Sequence, residues 1–256
     1  MPVIAGGLDV AELCLWTFFL FFFGLVLYIR REDRREGYPL EEDMGGRILT
    51  QGGPFVVDAP KKFILPFDRG VRFTPTDKGL EPVRLPARRT ARFDGAPLEP
   101  TGDPLVDGIG PASFALRDDI PDITAEGNDR IVPMRLAHEF SIAREDPDPT
   151  GWPAVCADGK VAGRVTQVWV DQSDRLIRYL EVATDNGRNV PVPMAMLNVN
   201  KGRKWIEVNA VTAAQFERAP TTASPDRITR YEEDRTVGYF GGGHFYATAA
   251  RSEPIL

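Results

Sequence analysis

The chain has 256 residues, 43% hydrophobic and 27% charged, which is enough for one substantial domain beside an anchor or for two small domains. A net charge of −6 argues against a nucleic-acid binder, which needs a basic face to displace counterions. The two cysteines, Cys14 in an apolar run and Cys156 in the polar remainder, fall in different media and read as free thiols.

Leu13 to Ile29 runs seventeen residues without a charge. As a helix it covers about 26 Å, close to the hydrocarbon thickness once Ala11 and Glu12 are added. Its twelve Leu, Ile, Phe and Val residues favour insertion by roughly 4–7 kcal/mol. Trp16 and Tyr28 sit near its two ends, as aromatic belt residues do. A cleaved signal peptide is disfavoured, because no Lys or Arg precedes the run and no small-x-small site follows it. Arg30, Arg31, Arg34 and Arg35 come immediately after. The positive-inside rule then puts the N-terminus outside the cytoplasm and residues 30–256 inside it. Mixed charges at i,i+3 and i,i+4 in residues 30–36 predict a helix that continues past the bilayer and ends near Gly37.

Residues 37–134 carry twelve prolines between Pro39 and Pro121, which leaves little room for long helices. This stretch reads as an extended membrane-surface region, ordered by lying on the following domain or on a partner. Residues 63–65 are a candidate short strand. From residue 135 the pattern turns to strands, at 161–170, 176–182, 190–194 and 205–208, with a polar turn between Asp171 and Asp174. Short helices are predicted at 212–218 and 230–240, the second ended by Gly241. The fold class is a single N-terminal transmembrane α-helix plus a mainly-β cytoplasmic domain, a small antiparallel barrel or curled sheet with a few short helices. The division is 1–36 for the periplasmic N-terminus and helix, 37–134 for the extended region, and 135–256 for the barrel and C-terminal helix.

Recognisable catalytic motifs are missing. The two histidines, His138 and His244, are far apart, and no HExxH, GxSxG or CxxC pattern is present. Glycines 241–243 lead into His244 rather than a phosphate-loop helix. The apolar helix has no histidine to ligate haem or chlorophyll, so no pigment is expected on this chain. What stands out is acidic: Asp171 and Asp174 with Glu181, the run Glu232 to Asp234, and Asp118, Asp119, Asp122 and Glu126. A solvated acidic face is the plain reading. The sharper one is a proton-collecting surface, since clustered carboxylates hold one another's pKa values up and share protons.

Several blocks together resemble the H subunit of the purple bacterial photosynthetic reaction centre. They are RREDRREGYPL at 30–40, KKFILP at 61–66, PTGDPLVDGIGPAS at 100–113, KVAGRVTQVWVD at 160–171, RYLEV at 178–182, YEEDRTVGYFGGG at 231–243 and FYAT at 245–248. The resemblance implies a PRC-barrel cytoplasmic domain and a subunit with no active site of its own, in the bacterial inner (intracytoplasmic) membrane. The implied partners are the L and M subunits, with a cytochrome subunit and a light-harvesting antenna ring as further neighbours. Those subunits, not this chain, would hold bacteriochlorophyll, bacteriopheophytin, quinones and non-haem iron. The implied role is to cap the cytoplasmic face and carry protons to the secondary quinone.

By the same match Asp171 and Asp174 take positions of proton uptake and transfer, with Arg178 near them. Glu126 is the one titratable residue in a second uptake segment, where Thr124 and Asn128 stand for family residues, and His138 and Glu139 lie close in sequence. Glu232 joins the proton-transfer group from the other acidic run. Arg30, Arg31, Lys61 and Lys62 are expected to meet lipid phosphates or acidic partner loops, and Tyr38 to fix the chain's departure from the membrane. Two other classes compete: a membrane-anchored PRC-barrel adaptor for another complex, and a tethered enzyme using the acidic cluster for metal-assisted hydrolysis.

Overall fold

A computed structural model of the chain describes residues 3–5, 8–33, 60–74, 85–93 and 95–252. Two compact units form, residues 1–85 and 86–256. In the first, β1 (Val3–Ala5) and β2 (Leu8–Asp9) pair antiparallel and lead directly into α1 (Val10–Glu32). Asp9 caps α1 by accepting the Glu12 N–H at 2.8 Å, while Arg30 and Arg31 complement the negative end of the helix dipole. Twenty-three residues reach about 35 Å, long enough to cross a bilayer core. No residue of α1 is buried within the chain, and its apolar window has a mean hydropathy of 2.2. Within the described residues α1 ends at Glu32, with Asp33 as its C-cap, and the expected end near Gly37 lies outside them. Arg34, Arg35, Gly37, Tyr38 and Pro39 lie outside the described residues. Beyond them β3 (Lys61–Ile64) and β4 (Val71–Thr74) form an antiparallel hairpin.

The second unit opens with a hairpin of β5 (Ala87–Arg89) and β6 (Leu98–Pro100). A single turn, α2 (Pro104–Asp107), follows. Asp103 accepts the Leu105 N–H, Pro104 presets the first helical φ, and Gly108 ends the turn in the left-handed region at φ 67. A 3-10 turn at Gly110–Ala112 comes next. Leu105 and Ala112 are buried in the main core, so this proline-rich stretch is ordered by the sheet domain beneath it.

The sheet has seven strands: β7 (Ile131–Pro133), β8 (Pro153–Cys156), β9 (Val161–Asp171), β10 (Leu176–Thr184), β11 (Asn189–Pro193), β12 (Asn198–Asn200) and β13 (Trp205–Val208). The order is β11-β10-β9-β8-β13-β12, with β7 also on β9. All pairs are antiparallel except β8 with β13, which run parallel. Strand β9 organises the rest, since eleven residues let it pair with β10 along one edge and with both β8 and β7 along the other.

Alternation sorts the side chains into two cores. Val132, Val168, Val170, Leu180 and Val182 face the main core, which α3 (Ala213–Phe216) joins through Phe216 and α4 (Arg230–Tyr246) through Tyr239 and Phe240. Their neighbours Ile131, Trp169 and Tyr179 face the other way and, with Ile228, form a smaller second core.

Helix α4 runs on to Tyr246 instead of stopping at Gly241. The glycines are a packing surface. A Cβ on Gly242 would stand 2.4 Å from the Ala112 Cβ, and one on Gly243 would stand 2.2 Å from the Ala210 carbonyl oxygen. Gly241 has no neighbour nearer than 3.8 Å. Gly243→Ala is therefore expected to destabilise the fold by about 1–3 kcal/mol through overpacking. Gly241→Ala should be neutral or stabilising by up to about 1 kcal/mol, from helix propensity. Urea unfolding followed by circular dichroism distinguishes the two, and equal effects would contradict the packing assignment.

Candidate functional site

The acidic stretches that are distant in sequence meet at the end of β9, around Arg130. This arginine precedes β7, whose pairing with β9 places Ile131 opposite Asp171. Its Nε donates to both Asp171 carboxylate oxygens at 3.0 and 2.9 Å, its Nη2 to Asp174 at 2.6 Å and its Nη1 to Asp122 at 3.3 Å. Asp171 also accepts the backbone N–H groups of Ser173 and Asp174 at 2.9 and 3.0 Å, so the same carboxylate shapes the β9–β10 turn.

The two aspartates expected to act as a pair sit in different surroundings. Asp171 is 0% exposed, whereas the Asp174 side chain is 52% exposed. Burial alone would push the Asp171 carboxyl up, but the Arg130 guanidinium and the two backbone donors hold it below the usual carboxylate range. The carboxylates in turn raise the guanidinium, which stays charged.

A second group lies beside the first. Glu233, in the first turn of α4, is only 14% exposed and accepts the Tyr179 hydroxyl at 3.0 Å. Arg178 lies 3.8 Å from it. Burial pushes the Glu233 carboxyl up, the Tyr179 bond and Arg178 pull it down, and the charges of Asp122 and Arg130 also reach it. The upward push wins. Burial, with the Glu233 charge, raises the Tyr179 phenol as well, so it remains protonated.

The other expected site residues are placed as follows. Arg178 forms its ion pair with Glu233, at 3.8 Å, rather than with Asp171 or Asp174. Glu232 is occupied by a capping box, where it accepts the Thr229 N–H at 2.9 Å while Thr229 accepts the Glu232 N–H, and it takes the Ala223 N–H too. Glu126 is exposed on a tight turn, its backbone N–H donating to the Thr124 hydroxyl at 3.3 Å. His138 and Glu139 are exposed. Asp118 meets Arg230, and Asp119 accepts the Thr229 hydroxyl, so these two strap the segment before β7 to the start of α4. In the first unit Arg30 pairs with Asp33 at 3.6 Å and Lys61 with Glu32 at 2.8 Å, Lys62 is exposed, and Tyr38 is outside the described residues.

Arg130 and Tyr179 went unnoticed in the sequence. The signal available was the Thr229-to-Glu232 spacing, which commits Glu232 to capping and leaves Glu233, about 100° further round the helix, facing β10. Among the described residues no group of three His, Cys, Asp or Glu is arranged to hold a metal ion. A guanidinium occupies the centre of the carboxylate cluster.

The family model of the photosynthetic reaction centre H-chain, N-terminal region, matches residues 2–136, more than half of the chain. The chain belongs to that family. The PRC-barrel domain model matches residues 142–215, which take in β8 to β13 and most of α3. This H chain is therefore a structural subunit of a multi-subunit electron-transfer complex, associated with the membrane. The two neighbouring groups draw on the segment leading into β7 and on α4, both outside the barrel match, and on β9 and β10 inside it.

Arg130→Met removes the cation from a buried carboxylate and should cost about 2–3 kcal/mol at pH 7, below a fully buried pair because Arg130 is itself partly exposed. Asp171 has a lowered folded-state pKa, so its contribution is present above the unfolded value near 3.9 and is lost as pH falls through the folded one. The deficit should shrink as pH is taken from about 5 to 2 in urea titrations. A deficit independent of pH would contradict the pairing.

Glu233 has the opposite sign. Its raised carboxyl favours the folded chain below the unfolded value near 4.3, and that advantage is lost as pH rises through the folded value. Glu233→Gln should flatten this loss, read as a smaller fall in stability between pH 4 and 7 than in the unmodified chain. An equal fall would contradict the burial argument.

Proposed function

We propose that this H chain caps the pigment–quinone core of its complex on the cytoplasmic side and conducts protons to the secondary quinone. In this reading α1 crosses the inner (intracytoplasmic) membrane with its N-terminus periplasmic and packs beside the L and M subunits. The same assembly takes in a cytochrome subunit and an antenna ring as neighbours. The arginines after the apolar run support that orientation. Bacteriochlorophyll, bacteriopheophytin, quinones and iron reside on the partners, since α1 has no histidine to offer a pigment.

The observation that carries the proton reading is the contrast among carboxylates in two neighbouring groups, one centred on Arg130 and one on Glu233. Asp174, half exposed, is the carboxylate of this cluster that faces the water. Asp171 stays ionised beside Arg130 and supplies fixed negative charge that keeps the region attractive to protons. Glu233, shielded and with its carboxyl pushed up by burial, is the group disposed to take up a proton, with the Tyr179 hydroxyl and Arg178 orienting it. Separation of neighbouring acids into a fixed anion and a titrating group is how proteins move protons at pH 7. Glu126, exposed on its turn, extends the collecting surface. Reduction of a quinone to quinol takes up two protons for two electrons, so a cap over a buried quinone requires such a path.

Asp174→Asn is expected to slow the second, proton-coupled electron transfer to the secondary quinone several-fold and to leave primary charge separation unchanged. Flash spectroscopy on the purified complex across pH 6–9 makes the measurement. Unchanged quinol formation over that range would remove Asp174 from the path.

A further inference from the structure

We propose that the β3–β4 hairpin is a membrane-surface element that lays its Ile64, Val71 and Phe73 face into the headgroup region of the bilayer crossed by α1. The inference rests on α1 spanning a membrane and is independent of the proton path. Its first support is position. Lys61, the first residue of β3, bonds through Nζ to Glu32, the last residue of α1, at 2.8 Å. Ile29 ends the apolar run three residues earlier, about 4.5 Å along the helix axis. The base of the hairpin is therefore held in the layer where lipid headgroups begin.

The second support is its two-faced pattern. Lys62 pairs with Phe73 and Ile64 with Val71, so these four share one face, while Phe63 and its partner Arg72 share the other with Lys61. On the first face Ile64 is 78%, Phe73 51% and Val71 41% exposed. Among the described residues the hairpin pairs with no third strand, and a two-stranded hairpin with its apolar face in water is marginal at best and needs a surface to lie on. The third support is charge. Residues 61–74 hold four Lys or Arg against one Asp in a chain whose net charge is −6. Apolar side chains rimmed by cations suit an anionic lipid surface, where bases meet phosphates and the apolar face enters the acyl boundary.

The test places a nitroxide at Ile64→Cys, Phe73→Cys, Arg72→Cys or Leu20→Cys in a Cys14→Ser background, where the remaining Cys156 is buried. The whole complex is reconstituted in nanodiscs of phosphatidylcholine and phosphatidylglycerol. Relative accessibility to oxygen and to a nickel chelate is then read by power saturation. Oxygen should dominate at 64 and 73, several-fold over its ratio at 72, with Leu20 as the deep reference. Labels at 64 and 73 as open to the chelate as 72 would overturn the inference. So would labels shielded from both reagents, which would mean that protein covers the face. A chelate-accessible Leu20 would sink the spanning reading and this inference together, whereas a lipid-embedded Leu20 with 64 and 73 in water sinks the hairpin inference alone.

Discussion

Arg130 is the residue on which the geometry of the polar domain's functional end depends. It binds carboxylates 8, 41 and 44 residues away along the chain, tying the segment before β7 to the β9–β10 turn. Asp171 is wholly buried at the end of the central strand, where an unpaired carboxylate costs several kcal/mol. Pairing of β7 with β9 is what brings the cation there, and the second core of Ile131, Trp169, Tyr179 and Ile228 packs that junction. Sheet register, local packing and charge thus specify one arrangement.

The same arrangement gives chemically identical side chains different roles. A carboxylate ringed by a guanidinium and two backbone donors is a permanent anion, while one under α4 with a tyrosine hydroxyl and a more distant arginine is held nearer neutrality. Neither state follows from residue type. The long α4 matters as well, because its glycine face settles against Ala112 and Ala210 and so fixes where Glu233 meets β10.

Much of the fold was legible in the sequence because its signals are local. Seventeen uncharged residues followed by arginines define α1, and period-two alternation with polar turns marks β9, β10 and β13. What escaped is non-local. The parallel β8–β13 pair joins strands separated by four intervening ones, and nothing in either strand encodes it. Trp169 lies beside core valines but faces a second core visible only once Ile131 and Ile228 are in place. Glycines 241–243 carry the composition of a helix stop, yet three-dimensional crowding gives them the opposite meaning. For the site, Asp171 and Asp174 were found from their turn. Arg130 was hidden inside a proline-rich stretch, and Glu232 was preferred to Glu233 because the capping pattern was not weighed.

The central claim is that Glu233 exchanges a proton while the complex works. Light-minus-dark infrared difference spectroscopy of the assembled complex, recorded as the secondary quinone is reduced, tests it most directly. The account predicts a protonated-carboxyl band that shifts in deuterium oxide and is lost in Glu233→Gln. A difference spectrum identical in the variant would contradict it and leave this chain as a structural subunit of its complex.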